Sequence, residues 1–378
     1  MKKILVVHNT YQNIGGEDIA VKNEVEFLKK HFEMDELYFS NKIENFFEFL
    51  KIIIFNSNSN AVNKFKKKVN EFNPDIVYVH NTWFNASLGI LNYMIKNNVK
   101  FVLKIHNFRY YCTKSIFLKS HLENKNFCEA CGKNRSDNLF FNKYFQESYL
   151  KSLMVIRYGT KYFRIIKNNS FPIFVLTNFH KKFLETLGID SSRIRVLSNY
   201  LQITNSKLSN KRENYLVYAG RVSEEKGVKE LINSFLNSEL KDYKLKIIGE
   251  GPILAELKNS NSSKRIEFLG SLTNSETHKI IEKSLCVVSS TKLYEGQPTV
   301  LCEASYLGVA SVFPNSEGIL EFFPDNTKLS FKQYNYSDLV SKLNLLKDQS
   351  LCINEGKKNQ DFIIKFLNED ALLSKYKI

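Results

Sequence analysis

Ala219-Gly220-Arg221-Val222-Ser223-Glu224-Glu225-Lys226-Gly227 closes an apolar run at 216–219 and opens a segment with helical spacing. A glycine-bearing turn between a buried strand and a helix is where open α/β sheets hold their ligands, so Arg221 and Lys226 are read as strand-end cations. Arg221 can fork to two oxygens of a diphosphate. Lys226 adds a point charge, and the free amides of a helix N-terminus add their own partial charge. On this stretch alone, a solvated loop carrying surface charges fits equally well.

The same strand-then-helix order extends outward in both directions. Upstream, Ile4-Leu5-Val6-Val7 reads as a strand buried on both faces. Ile19, Val21, Val25, Leu28 and Phe32 then recur at helical spacing. Ile76–His80, Phe101–His106 and Pro172–Thr177 are further strands, with helices expected near 84–98 and 179–187. Downstream, strands are expected at Leu216–Ala219, Tyr243–Ile248, Ile266–Leu269, Leu285–Ser289 and Val309–Phe313. Alternation of this kind predicts the α/β class: two facing Rossmann-like, doubly wound domains with parallel sheets and crossover helices. The expected boundaries are 1–200, 201–355 and a C-terminal amphipathic helix at 356–378 that packs across on the first domain, with Thr204–Asn214 as the linker. Residues 107–140 break the rhythm as a long irregular insertion, a length more often functional than filler. Two such domains leave a cleft at the carboxyl ends of both sets of strands.

Composition limits the remaining choices. A chain of 378 residues is too long for one ordinary core, and 43% hydrophobic content with 15 Gly and 6 Pro excludes disordered and fibrous classes. The longest apolar run is far below the roughly 20 residues of a spanning helix, and no signal-peptide core opens the chain, so a cytoplasmic protein is expected. The net charge of +15 is uneven: residues 1–200 hold 30 Lys+Arg against 17 Asp+Glu, and residues 201–378 hold 24 against 22. The first half is therefore expected to meet an anionic partner.

Two further loops carry chemistry. Ile248-Gly249-Glu250-Gly251-Pro252 lies between strand and helix, where Gly249 and Gly251 would let a ligand approach the backbone and Pro252 would be the first helical residue. An ordinary tight turn explains that stretch as well. Tyr294-Glu295-Gly296-Gln297-Pro298-Thr299-Val300-Leu301-Cys302-Glu303-Ala304 places Glu295 in a loop and Glu303 in the second turn of the following helix. A carboxylate accepts two hydrogen bonds from a vicinal diol, so the pair suits a sugar or a ribose. The amides of Thr299 and Val300 suit phosphate. Glu303 stands among Val300, Leu301 and Ala304, where a carboxylate is costly without a partner.

In this order and spacing, the three stretches resemble the second domain of the GT-B glycosyltransferases of the large retaining group often called family 4, glycosyl transferases group 1. The group shows a Gly-Arg…Lys-Gly segment, a Gly-x-Gly turn, and a Glu-Gly…Glu-Ala pair with seven residues between the glutamates. The resemblance covers most of 215–322. It implies a nucleotide-diphosphate sugar as donor and no cofactor required for catalysis. Arg221 and Lys226 would then meet the diphosphate, Glu303 the ribose, and Glu295 the transferred sugar. The group often has Gly-Phe-Gly after the first glutamate, where Gln297-Pro298-Thr299 stands here. In the first half, Gly15-Gly16-Glu17 resembles the group's glycine-rich loop facing the donor phosphates, and His106 its histidine near the transferred sugar. Arg109 is read as an acceptor-phosphate contact or a local pair.

Acceptors in this group are commonly lipid-linked saccharides of capsule, lipopolysaccharide or other surface polysaccharide. The resemblance therefore implies a saccharide acceptor and a peripheral position on the inner face of the membrane. The basic stretch Lys64–Lys68 and the aromatic segment Phe46–Phe55 suit an anionic lipid surface. Cys112, His121, Cys128 and Cys131 include one two-residue zinc-knuckle spacing, though a second is lacking, so a structural zinc is the lesser expectation. A nucleotide-sugar epimerase or phosphorylase of the same architecture is the alternative enzyme class. A basic nucleic-acid-binding protein is the alternative outside enzymes, and no nucleic-acid signature supports it, so nucleic acid is not an expected partner.

Overall fold

The structure, a computed structural model, describes residues 1–11, 15–41, 46–112, 127–128, 133–134, 148–203 and 212–376. The chain divides into two compact units, Met1–Leu201 and Gln202–Ile378.

In the first unit, β1 (Lys3–Thr10), β2 (Glu33–Ser40), β3 (Ile76–Asn81), β4 (Phe101–Ile105), β7 (Ile173–Val175) and β8 (Ile194–Val196) form one parallel sheet in the order β2-β1-β3-β4-β7-β8. The short strands β5 (Phe127–Cys128) and β6 (Lys133–Asn134) pair separately as an antiparallel ribbon. Crossovers are made by α1 (Gly16–Leu28), α2 (Phe46–Phe55), α3 (Ser59–Phe72), α4 (Ser87–Lys96), α5 (Tyr149–Asn168) and α6 (Asn178–Thr186). The apolar run at 4–7 is buried at every position, as a strand covered on both faces requires. The sequence reading did not mark β2, and its composition explains why: Glu33, Asp35 and Glu36 fall on an edge strand that stays half exposed.

The second unit repeats the plan. β9 (Glu213–Ala219), β10 (Lys244–Ile248), β11 (Ile266–Gly270), β12 (Ser284–Val288), β13 (Ala310–Pro314) and β14 (Ser330–Phe331) pair in parallel in the order β11-β10-β9-β12-β13-β14. Its helices are α7 (Val228–Asn237), α8 (Leu254–Ser260), α9 (Asn274–Lys283), α10 (Thr299–Tyr306), α11 (Glu317–Leu320), α12 (Tyr336–Leu345), α13 (Gln349–Phe366) and α14 (Glu369–Lys375). Leu216, Val228, Leu231, Phe235, Leu245, Ile247 and Val312 lie in its core cluster.

In each sheet the first strand has later strands on both sides, so the winding reverses between β1 and β3 and again between β9 and β12. Ligands of open α/β sheets bind at such reversals, outside the carboxyl ends of the strands.

Two expected boundaries move. Pro252 lies two residues ahead of α8 rather than at its first position. The edge expected at 355/356 falls inside α13. There Gly356 packs so closely on the Gly308 carbonyl that a Cβ would collide with it, and Gln360 donates to the Tyr306 carbonyl at 2.7 Å. The C-terminal stretch is thus two helices, the second capped by the Asn368 side chain. The expected linker core, 204–211, lies outside the described residues.

Candidate active site

At the reversal of the second sheet, the loops after β9, β10 and β12 are joined backbone to backbone. The Gly220 amide donates to the Ile248 carbonyl at 3.0 Å, and the Val222 amide to that of Glu250 at 2.9 Å. A Cβ on Gly249 would strike the Gly220 carbonyl, and one on Gly251 the Val222 carbonyl. These two glycines therefore serve the approach of a neighbouring loop. On the other side, Gly227 adopts φ +69° and packs against the Ser290 carbonyl, while Ser290 Oγ donates to the Gly227 carbonyl at 2.8 Å. The Lys292 amide donates to the Glu225 carbonyl at 3.0 Å. The loop that sequence singled out is thus clamped on both flanks.

That clamp sets the side chains. Lys226 Nζ lies 2.5 Å from Glu295 Oε1, with the two side chains 28% and 21% exposed, so both still face water. Thr291 Oγ1 donates to the same oxygen at 3.0 Å, which leaves Glu295 Oε2 without a partner among the described residues. Arg221 is exposed, and its guanidinium has no partner among the described residues. Tyr218 braces its backbone by donating to the Arg221 carbonyl at 2.8 Å. Burial, and after it the charges of Glu295 and Glu225, push the Tyr218 phenol up, so it stays a neutral donor.

Thr299 opens α10, with Pro298 at the cap position and no side chain capping the first turn. The amides of Thr299 and Val300 thus stand at an uncapped helix start. Glu303 is 8% exposed in the second turn. His278 of α9 brings its Nε2 within 3.4 Å of Glu303 Oε2, without the geometry of a hydrogen bond. Sequence reading marked neither His278 nor Thr291.

The first unit assembles a different cluster at its own reversal. Three dipeptides end adjacent strands: His8-Asn9 on β1, His80-Asn81 on β3 and His106-Asn107 just past β4. This repetition is the sequence signal that could have found His80 and His8. The asparagines secure the loops that follow. Asn9 Oδ1 accepts from the Ala86 amide at 2.8 Å, Asn81 Oδ1 from the Trp83 amide at 3.0 Å, and Asn107 Oδ1 from the Arg109 amide at 3.0 Å. The histidines turn to one another: His80 Nδ1 and His106 Nε2 are 2.9 Å apart, and the His8 ring meets His80 edge-on at 6.2 Å. Burial, then the positive charge of Lys104 nearby, drives the His80 imidazole well below its ordinary pKa; burial does the same to His106. Beneath them, Lys104 and Glu24 form a fully buried ion pair at 2.7 Å, and the Tyr78 hydroxyl donates to the other Glu24 oxygen at 2.7 Å.

At the start of α1 the structure departs from expectation. Asp18 Oδ2 already accepts from the Gly15 amide at 2.8 Å, and its Oδ1 lies 2.8 Å from His8 Nε2. Burial opposes ionisation of Asp18, yet those hydrogen bonds hold its carboxyl below the usual range. Glu17 lies in the same turn and accepts from the Tyr11 hydroxyl and from Asn107. A carboxylate thus fills the amide site expected to meet a donor phosphate, and two negative charges surround it. Gly16 has open space where a Cβ would stand, so packing within the chain does not demand glycine there. Arg109 stacks between Tyr11 and Trp83, with its Cζ 4.8 and 5.5 Å from the two ring centroids.

Cys112 is buried. His121, Cys131 and the side chain of Cys128 lie outside the described residues, and among the described residues no cluster of three or more His, Cys, Asp or Glu could hold a metal ion.

Two doubly wound units, each with charged strand-end loops at its reversal, are the architecture of the GT-B fold. Residues 201–365 match the family model described as Glycosyl transferases group 1. Among solved structures, sucrose-phosphate synthase from Thermosynechococcus elongatus superposes with a TM-score of 0.69 at 13% identity, over 99% of this chain and 97% of that one. HepE from Anabaena, in complex with UDP and glucose, gives 0.67 at 12% identity over 99% and 98%. The lipopolysaccharide outer core galactosyltransferase WaaB gives 0.60 at 15% identity over 99% of both chains. No curated protein sequence matches the chain. The chain therefore has the GT-B fold, and its second half matches the group 1 glycosyl transferase model.

Proposed function

We propose that the enzyme moves a sugar from a nucleotide-diphosphate donor to a hydroxyl of a lipid-linked saccharide in surface-polysaccharide synthesis, with retention of anomeric configuration. The observation that carries this reading is the Lys226–Glu295 pair, with Lys226 on the same strand-end loop as Arg221, whose guanidinium has no partner among the described residues. As the glycosidic bond breaks, negative charge builds on the leaving diphosphate while the sugar becomes oxocarbenium-like. Fixed cations stabilise that charge without reorganising. Arg221 and Lys226 supply them, with the uncapped amides of Thr299 and Val300 at a helix start. Glu295 orients the sugar through its free oxygen, and Glu303, beside His278, takes the ribose diol. His106 acts on the transferred sugar. Arg109, set between two aromatic rings, takes an anionic group of the acceptor.

Membrane association, as part of this reading, finds support in α5. The helix holds five Lys or Arg and no carboxylate, with Leu150 and Leu153 exposed at 67% and 54%. By contrast, Lys68 of the basic stretch at 64–68 is paired with Asp35 at 2.7 Å, and Lys67 with Glu71 at 3.7 Å. The side chains of 46–49 lie outside the described residues, while Ile54 and Phe55 at the end of α2 are exposed. Among the described residues no helix is long and apolar enough to cross a membrane.

The test is Arg221→Ala, assayed after nucleotide sugars have been screened for thermal stabilisation of the native protein. Turnover should drop about a hundredfold or more with the fold intact. Near-normal turnover would refute the assignment.

A further inference from the structure

We infer that Arg109 reads the charge of the acceptor: its guanidinium takes one carboxylate, and the saccharide that receives the transferred sugar is acidic, of the uronate class. The inference rests on the proposed role of Arg109 toward the acceptor, and it names the chemistry of that contact.

Arg109 is fixed yet unpaired. Its amide donates to Asn107 Oδ1 at 3.0 Å, which sets the chain just past β4. The rings of Tyr11 and Trp83 crowd the guanidinium, with centroids 4.8 and 5.5 Å from Cζ. Its Nε is buried without a partner. The two terminal nitrogens also lack partners among the described residues, and they carry the surface that the half-buried group still shows to solvent. Structural arginines of this chain spend their donors on backbone carbonyls: Arg193 on Phe171 and Ile166, Arg212 on Glu282 and Gly308, Arg265 on Leu240. Arg109 does not. A partly dehydrated cation left unpaired is costly, and its planar N–H edge matches two oxygens of one anion.

The neighbouring charges select the anion. Glu17 lies against the same tyrosine, where its Oε2 accepts from the Tyr11 hydroxyl at 2.7 Å and from Asn107 at 2.9 Å. Burial, then the Glu17 charge, pushes the Tyr11 phenol up while Arg109 pulls it down, so cation and carboxylate act on one ring. They make no ion pair with each other among the described residues. Asp18 follows in the same turn, and its hydrogen bonds favour the ionised form. One open cation therefore stands near two carboxylates. A phosphate monoester brings close to two negative charges and meets about twice the repulsion that a carboxylate meets. A neutral sugar leaves the guanidinium unpaired. In a uronate, hydroxyls adjoin the carboxylate, and Glu17 Oε1, without a partner among the described residues, can accept from one of them.

Trp83 makes the contact measurable, because it is the one tryptophan of the chain. Its amide donates to Asn81 Oδ1 and its carbonyl accepts from Asn41 Nδ2, both at 3.0 Å, so the indole is held against Arg109. Tryptophan emission of the intact protein is titrated with glucose, glucuronate and glucose 6-phosphate, which differ only at C6 and carry no, one and close to two negative charges at neutral pH. Glucuronate should change the emission saturably, at about tenfold or more lower concentration than either other sugar. Arg109→Gln should abolish the response, and Arg109→Lys, which keeps the charge without the fork, should weaken it about tenfold. Glu17→Gln, which leaves Arg109 in place, should narrow the gap between glucuronate and glucose 6-phosphate about threefold or more. No response to glucuronate, equal binding of glucose 6-phosphate, a response that survives Arg109→Gln, or an unchanged gap in Glu17→Gln each overturns the inference. No donor and no turnover enter these titrations. A failed titration beside an inactive Arg221→Ala variant removes the acidic acceptor and leaves the sugar-transfer reading; saturable glucuronate binding beside a fully active Arg221→Ala variant does the reverse.

Discussion

At the residue scale, the site depends on side chains whose neighbours are fixed by backbone. Lys226 and Glu295 share one hydrogen-bonding oxygen with Thr291, so the two ends of the pair should not behave alike when removed. If the proposed roles hold, Lys226→Ala should lower kcat about a hundredfold, whereas Glu295→Gln, which keeps the shape, should act more on KM for the donor sugar. Steady-state kinetics with the donor found by thermal screening would separate the two. Gly249→Ala should cost about 2 kcal/mol or more, because a Cβ there meets the Gly220 carbonyl. Urea titration would measure it. The sequence made Arg221, Lys226, Glu295 and Glu303 legible, since each stands at a fixed offset from a strand end or a proline. It left His278 and His80 unread, because one lies on the face of a polar helix and the other at the end of an apolar run. Neither position marks a partner that comes from a distant element.

At the element scale, the buried strands were readable as continuous apolar runs, while β2 was hidden by its acids and β8 and β14 by their brevity. Burial also explains a charge that pattern alone cannot place. Lys104 lies inside β4 with no exposed surface and is tolerated because Glu24 of α1 meets it. Lys104→Met should destabilise the protein by about 3–5 kcal/mol by stranding the Glu24 carboxylate, and adding Glu24→Leu should restore most of that loss. Chemical denaturation of the two variants would decide. On α5, Arg157, Lys161 and Arg164 recur along one face; burial, then the charges of the two arginines, lowers the Lys161 pKa. Replacing Arg157 and Arg164 with Glu should abolish sedimentation with anionic vesicles at low salt while leaving neutral vesicles unaffected. Unchanged sedimentation would remove α5 from the reading.

At the scale of the whole molecule, both halves follow one winding rule, and both put their chemistry where the winding reverses. They differ in how charge is arranged. The second unit's reversal pairs Lys226 with Glu295, whereas the first unit's sets Asp18 and Glu17 beside neutral histidines. Three histidines are held neutral by burial: His80, His106 and His180, the last pushed down to about 3. The unfolded chain protonates each near pH 6.5, so it binds more protons than the native state below that value. Stability is therefore complete above about pH 6.5 and is lost as pH falls toward the folded values, by up to about 1.4 kcal/mol per pH unit per histidine. Thermal melts at intervals from neutral to mildly acid pH should show that decline, and His180→Phe, among Phe108, Tyr110 and Phe183, should lessen it.

The interlocked turns of the second sheet also bear on engineering. Because the chain after β10 presses on the chain after β9, and Gly227 on Ser290, none of the three can be redrawn alone. Anyone grafting this set of loops onto another scaffold, or diversifying it by directed evolution, would have to transplant or randomise the three segments together. Libraries that vary a single one would mostly return misfolded clones.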